Sequence, residues 1–165
     1  MKQIMKPPLE TVVSAYRDRL YAAAFSACKN PQDAEDAVQD AFLQYWSLHR
    51  EFESEEHVRA WLLRVAINRA KNRARSFFRR NVVPLEDYME QLSFEAEEDS
   101  GLFQAVMALP AKYRVAIHLF YYEDYSVEEI AAILHITPGN VKTRLSRGRS
   151  ALRGALQEAW DNDES

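Results

Sequence analysis

Wherever this chain runs far enough between breaks to show a period, its apolar residues recur at intervals of three and four. No segment alternates apolar with polar. That pattern restricts the fold to helices. Leu9, Val12, Val13, Tyr16, Leu20, Ala23 and Ala24 set the spacing of a first helix over residues 9–28. Asn30-Pro31 restarts the pattern, with Asn as the N-cap, Pro at the first helical position and acids in the first turn. A second helix is predicted from Pro31 to about Leu48, striped by Ala34, Ala37, Val38, Ala41 and Tyr45 and widened by Phe42 and Trp46. At about 100° per residue, Asp33, Asp36 and Asp40 point away from that stripe.

The stretch REFESEEHV reads as a charged connector into a third helix from about Val58 to Phe78. Leu63, Ala66, Ile67, Ala70, Ala74 and Phe77 form its inward face. Arg64, Asn68, Lys71 and Arg75 share a narrow stripe roughly opposite, with Asn72 at its edge. Residues 81–104 show no sustained period, hold Pro84 and Gly101, and carry seven acids and no base. They read as an acidic linker whose end runs into a short helix, LFQAVMALP, stopped at Pro110. AKYRVAIHLFYY is another helix, EDYS a turn, and VEEIAAILH and PGNVKTRLSRGRSALRGALQEAW two more helices. With four glycines and six prolines in 165 residues, the chain has too few turns for a sandwich or barrel. The expected architecture is all-α: a helical domain over 1–80, the linker over 81–104 and a second helical domain over 105–165.

Charge is distributed in blocks. The formal net charge is −4, yet residues 59–80 carry eight bases and no acid, and residues 138–157 carry five bases and no acid. Two basic segments are therefore separated by an acidic one, an arrangement that the total conceals. Cys28, the single cysteine, cannot form an internal disulfide and reads as a buried structural thiol. No run approaches ~18 apolar residues, so no membrane insertion is expected. The start, MKQIMKPPLETVV, is broken by Pro7-Pro8 and has no signal-peptide core, so the cytoplasm is the expected compartment. His49, His57, His118 and His135 are scattered, no Cys/His metal spacing exists, and no glycine-rich phosphate loop appears. Catalysis, a cofactor and a metal are accordingly not expected.

The segment EEIAAILHITPGNVKTRLSRGR carries the sharpest signal. Ser126 with Glu129 three residues on is a capping box. Ile130, Ala131 and Leu134 face inward, and Ala131 is small where two helices cross. His135-Ile136-Thr137 is a three-residue turn, at whose first position a left-handed backbone suits glycine better than histidine. Thr137 caps the next helix, and Pro138 opens it. Val141 and Leu145 dock that helix on the first, as in a helix-turn-helix whose second helix enters the DNA major groove. Asn140, Lys142, Thr143, Arg144, Ser146, Arg147 and Arg149 are then left to meet the groove, with Arg and Asn suited to base edges and Lys, Ser and Thr to phosphates. On this segment alone, a repressor, an activator and an initiation factor remain equally open.

DAEDAVQDAFLQYW, then AWLLRVAINRAKNRAR, then LPAKYRVAIHLFYYEDYSVEEIAAILHITPGNVKTRLSRGRSALR together resemble the extracytoplasmic-function sigma factors of bacterial RNA polymerase. The resemblance covers about residues 8–80 and 102–156, and departs in detail at His135, Asn140 and Thr143. It implies a first domain that binds core RNA polymerase and opens the minus-ten element. Asp36, Gln39 and Asp40 would meet the coiled coil of the largest polymerase subunit, and Asn68, Lys71, Asn72 and Arg75 would hold the unpaired non-template strand. The loop FESEEHV would receive a flipped base. The second domain would read the minus-thirty-five duplex, with Lys142, Thr143, Ser146 and Arg147 at contacting positions. An anti-sigma factor is an implied partner, and the protein would be a monomer when bound to core. A helix-turn-helix regulator that works without polymerase would leave the asparagine-basic stripe unexplained. A sigma-like decoy would call for a receiver domain that this chain has no room for.

Overall fold

The computed structural model describes residues 6–80 and 100–163, with side chains over 6–76 and 101–157. Its elements are helical, as the periodicity predicts, and they divide into two units, Met1–Val82 and Val83–Ser165.

In the first unit α1 (Leu9–Cys28), α2 (Pro31–Ser47) and α3 (Glu55–Arg80) pack pairwise on one another. Ala23, Ala24, Ala34, Ala37, Ala41, Ala66 and Ala70 are wholly buried, so three helices rich in small side chains approach closely around Leu20, Leu62, Leu63 and Ile67. Asn30 Oδ1 accepts the Asp33 amide at 2.9 Å, which is the predicted N-cap of α2. Cys28 is buried, and its Sγ reaches the Asn30 carbonyl at 3.4 Å.

Two expectations need correcting here. Trp46 does not widen the core stripe: it is 67% exposed, and Leu43 beside it is 62% exposed, because α3 covers α2 from the other side. The connector before α3 is shorter than expected and partly apolar. Phe52 is fully buried, with its ring 5.7 Å from Tyr45 and 5.8 Å from Trp61. Ser54 Oγ then accepts the His57 amide at 3.1 Å, so the helix begins at Glu55, three residues ahead of Val58.

In the second unit α4 (Ser100–Ala108), α5 (Ala111–Ile117), a π-helical turn (His118–Tyr122), α6 (Val127–Leu134) and α7 (Pro138–Asp163) form the core, with α4, α5 and α6 each packed on α7. Residues 81–99 of the expected linker lie outside the described residues, while its last residues, from Ser100 to Gln104, belong to α4. Packing of α4 on α7, with Met107 buried, outweighs the poor helix propensity of Gly101. Pro110 stops α4 and leaves its last carbonyls without helical partners. Buried Arg114 fills that role, its Nη1 donating to Leu109 O at 2.7 Å and Met107 O at 3.4 Å.

Candidate nucleic-acid and polymerase interfaces

The helix-turn-helix forms as its sequence predicts. Ser126 and Glu129 exchange both bonds of a capping box, at 3.0 and 3.2 Å. His135 adopts the left-handed backbone, φ 56° and ψ 46°, and remains exposed, so its side chain meets no steric conflict. Thr137 Oγ1 accepts the Asn140 amide at 3.1 Å. Ile130, Ala131, Val141 and Leu145 are buried between α6 and α7, together with Ile133, whereas Leu134 is only half-buried.

With Val141 and Leu145 turned inward, Asn140, Lys142, Thr143, Ser146 and Arg147 lie exposed along the first turns of α7. Thr143 Oγ1 donates to its own helix at Gly139 O, 3.0 Å away, and half-buried Arg144 donates Nε–H to Asn140 Oδ1 at 3.3 Å. Arg149 has partners within its own unit. It is half-buried, its Nε donates to the Tyr121 hydroxyl at 2.5 Å, and its guanidinium lies 5.4 Å from the ring centroids of both Phe120 and Tyr121. The cation of Arg147, with a smaller contribution from Lys112, holds the Tyr113 phenol below its ordinary pKa.

The residue between the two arginines is buried. A Cβ built on Gly148 would stand 3.0 Å from Ile117 Cγ1 and 3.5 Å from Tyr113 Cβ, so only glycine lets α5 lie this close to α7. Just beyond Ile117 the backbone widens into the π-helical turn. Its first residue, His118, stacks on Tyr122 at 5.1 Å, and its Nε2 is buried and meets no hydrogen-bonding group among the described residues. Burial alone pushes that imidazole down to about 4.

In the first unit Asn68, Asn72 and Arg75 are exposed along α3 and Lys71 is half-buried beside them, so the expected amide-and-cation stripe exists as a surface. On the acidic side of α2, Asp36 and Asp40 are paired across to the next helix: Arg73 of α3 reaches them at 3.4 and 3.0 Å. All three are about a third exposed. On a helical wheel Arg73 falls within about 20° of Ala66, which places it at the α2–α3 seam and off the outward stripe. Gln39 is exposed and shares its side of α2 with Leu43 and Trp46, so this surface is as much apolar as acidic.

Sequence reasoning passed over Arg73, Tyr113, Phe120, Tyr121 and Gly148. The wheel position of Arg73 was available as a signal. The others needed the α5–α7 crossing, which no local pattern announces.

Two small helical units, one with an amide-and-cation stripe and the other with a helix-turn-helix whose second helix bears a cationic outer face, define a two-part DNA-binding factor. Residues 12–80 match the family model for Sigma-70 region 2, and residues 101–152 match that for Sigma-70, region 4. The ECF RNA polymerase sigma factor SigW of Bacillus subtilis is 30% identical, over 96% of this chain and 95% of its own. The RNA polymerase sigma factor SigV of the same organism is 31% identical, over 92% and 93%. Among solved structures, the sigma factor RpoE in complex with the anti-sigma factor NepR from Bartonella quintana superposes with a TM-score of 0.68 at 25% identity, covering 90% of this chain and 96% of that one. The chain belongs to the extracytoplasmic-function (ECF) sigma factors of bacterial RNA polymerase. Its function is the family's: to direct core polymerase to specific promoters and begin transcription there.

Proposed function

We propose that the two units divide promoter recognition between them. The second unit reads the minus-thirty-five duplex through Asn140, Lys142, Thr143, Arg144, Ser146 and Arg147, with Arg149 as a phosphate contact at the edge. The first unit holds the melted minus-ten non-template strand on Asn68, Lys71, Asn72 and Arg75, and docks on core polymerase through α2. Single-stranded DNA needs cations for its phosphates and amides for exposed base edges, which is the composition of the α3 stripe. On α2, Gln39, Leu43 and Trp46 supply apolar and amide contact area, and Asp36 and Asp40 border it with charge. Exposed aromatic and aliphatic anchors of this kind suit a protein partner better than DNA.

The observation that carries the reading is the exposed row on the first turns of α7, where Val141 and Leu145 are turned inward and no acid occurs from residue 138 to 157. Polymerisation chemistry belongs to the core enzyme, and the cytoplasm, where that enzyme works, is the compartment of action. No helix among the described residues is long and apolar enough to cross a membrane. The RpoE–NepR complex supports an anti-sigma factor as a further partner of this chain.

Run-off transcription by the reconstituted holoenzyme on a promoter library tests the division of labour. Arg147→Ala should cost about 1–3 kcal/mol at the minus-thirty-five element and relax preference at one position. Asn68→Ala with Lys71→Ala should reduce permanganate-detected opening more than initial promoter binding. Equal losses in both steps would reduce the α3 stripe to a structural surface.

A further inference from the structure

Three features of the second unit are left unused by this division of labour: Gly148, the π-helical turn, and the tyrosines Tyr113 and Tyr121. They converge on one edge of α7. Gly148 allows α5 to lie against α7, which sets Tyr113 Cβ 3.5 Å from the position a Gly148 Cβ would take, beside Arg147, whose cation lowers the pKa of the Tyr113 phenol. The π-helical turn inserts an extra residue per turn after Ile117, and the rings that follow are directed at Arg149. Each arginine flanking Gly148 is thus coupled to a tyrosine of a different element, Arg149 by a hydrogen bond to the Tyr121 hydroxyl and Arg147 through its influence on the Tyr113 phenol.

We propose that Tyr113 and Tyr121 are positioning residues for promoter recognition, holding Arg147 and Arg149 in the orientations in which they meet duplex DNA. The inference rests on the reading of α7 as the duplex-contacting helix. A guanidinium carries five N–H donors in a planar fork, and freezing its long stem on binding is costly in rotamer entropy. Tyr121 takes Nε–H of Arg149 at 2.5 Å and the Phe120 and Tyr121 rings lie 5.4 Å from its guanidinium carbon, so the terminal nitrogens are the ones presented for a phosphate. Phenols suit this task because they are neutral acceptors. A carboxylate in the same place would orient the arginine equally well and cancel the charge that DNA is meant to meet. From residue 138 to 157 the helix carries no acid, so no carboxylate of its own competes.

The test is a pair of double-mutant cycles in the reconstituted holoenzyme, using a promoter duplex selected by that holoenzyme from a randomised library. Tyr113→Phe and Tyr121→Phe keep the rings and remove only the hydroxyls. Each should weaken promoter binding about 3- to 10-fold near 0.15 M salt and leave thermal unfolding unchanged. Each should also add nothing once its own arginine is Ala: Tyr113→Phe is silent in Arg147→Ala, and Tyr121→Phe is silent in Arg149→Ala. A hydroxyl with a merely structural role would show the same loss in both backgrounds, which overturns the proposal. If the arginine variants weaken binding and the tyrosine variants do not, positioning is wrong and the α7 reading stands. If the arginine variants themselves leave binding unchanged, both fall.

Discussion

Arg73 in the first unit and Arg149 in the second are both partly buried arginines gripped by side chains of a neighbouring element, and the grips differ in kind. Arg73 sits between the carboxylates of Asp36 and Asp40, at 3.4 and 3.0 Å, so its charge is balanced inside the fold. Arg149 lies over Phe120 and Tyr121 and donates to a neutral phenol, so its charge is held in place without a carboxylate partner among the described residues. The first arrangement ties α2 to α3 and leaves the separate outward stripe of Asn68, Lys71, Asn72 and Arg75 for the proposed DNA contact. In the second, the orientation and the proposed contact fall on the same residue. A count of basic residues treats the two segments alike; only the partner of each arginine separates a structural cation from a ligand-facing one.

The largest expected effect tests what supports the aromatic grip. His118 begins the π-helical turn that carries Phe120 and Tyr121, and burial lowers its pKa to about 4 from an unfolded value near 6.5. Between those values the unfolded chain binds the extra proton. The stability due to the neutral imidazole is therefore complete above about pH 6.5 and is lost as pH falls toward 4, by roughly 3 kcal/mol at pH 4. His118→Leu should remove this component. Its amide-exchange protection in α5 and α6 should fall less between pH 7 and 4 than that of the unaltered protein. Equal falls would mean that the imidazole does not support the turn.

A somewhat smaller effect tests the crossing. Gly148→Val would drive methyl groups into Ile117 and Tyr113, where even a Cβ already stands at 3.0 Å from Ile117 Cγ1. Overpacking of this kind costs about 1–3 kcal/mol. It should lower the melting temperature of the second unit and, by moving Tyr113 away from Arg147, weaken promoter binding by more than the fraction unfolded explains. A melting temperature unchanged by Val would show that α5 can withdraw freely, and the close approach would lose its claim to set Arg147.

These two positions also mark where sequence reading stopped. Helix spans other than the start of α3, the Asn30 and Ser126 caps, the left-handed His135 and the buried Val141 and Leu145 follow from local chemistry within four residues, so they are legible in the sequence. Trp46 was misassigned because a helical wheel shows which residues are neighbours without saying how much of the wheel a partner covers. Phe52 was missed because a single apolar residue among charges has no period. Arg114, Gly148 and the tyrosine grips depend on contacts between helices. The π-helical turn continues an ordinary helical pattern, so nothing in HLFYY announces it. What the motifs conveyed was the family and the row on α7; what they could not convey was which cations the fold had already committed.

The smallest expected effect is the one that breaks the comparison most cleanly. Arg73→Gln and Arg149→Gln each remove one positive charge from a chain of formal net charge −4, so their long-range electrostatic consequences are matched. If the carboxylates of Asp36 and Asp40 have already balanced Arg73, its loss should leave promoter affinity of the holoenzyme nearly untouched. Arg149→Gln should weaken that affinity and lower its dependence on salt, as expected when a phosphate contact is lost. The stability cost of Arg73→Gln should also be modest, below about 1 kcal/mol and shrinking as salt rises, because half-exposed ion pairs gain little over solvated charges. Its other consequence should appear on α2, where two carboxylates are released beside Gln39, Leu43 and Trp46. If those acids contact core polymerase, core affinity in Arg73→Gln should hold or rise, while Asp36→Asn with Asp40→Asn lowers it. Equal losses of promoter affinity in the two arginine variants would erase the distinction between balanced and presented cations, and would leave net charge as the sole variable.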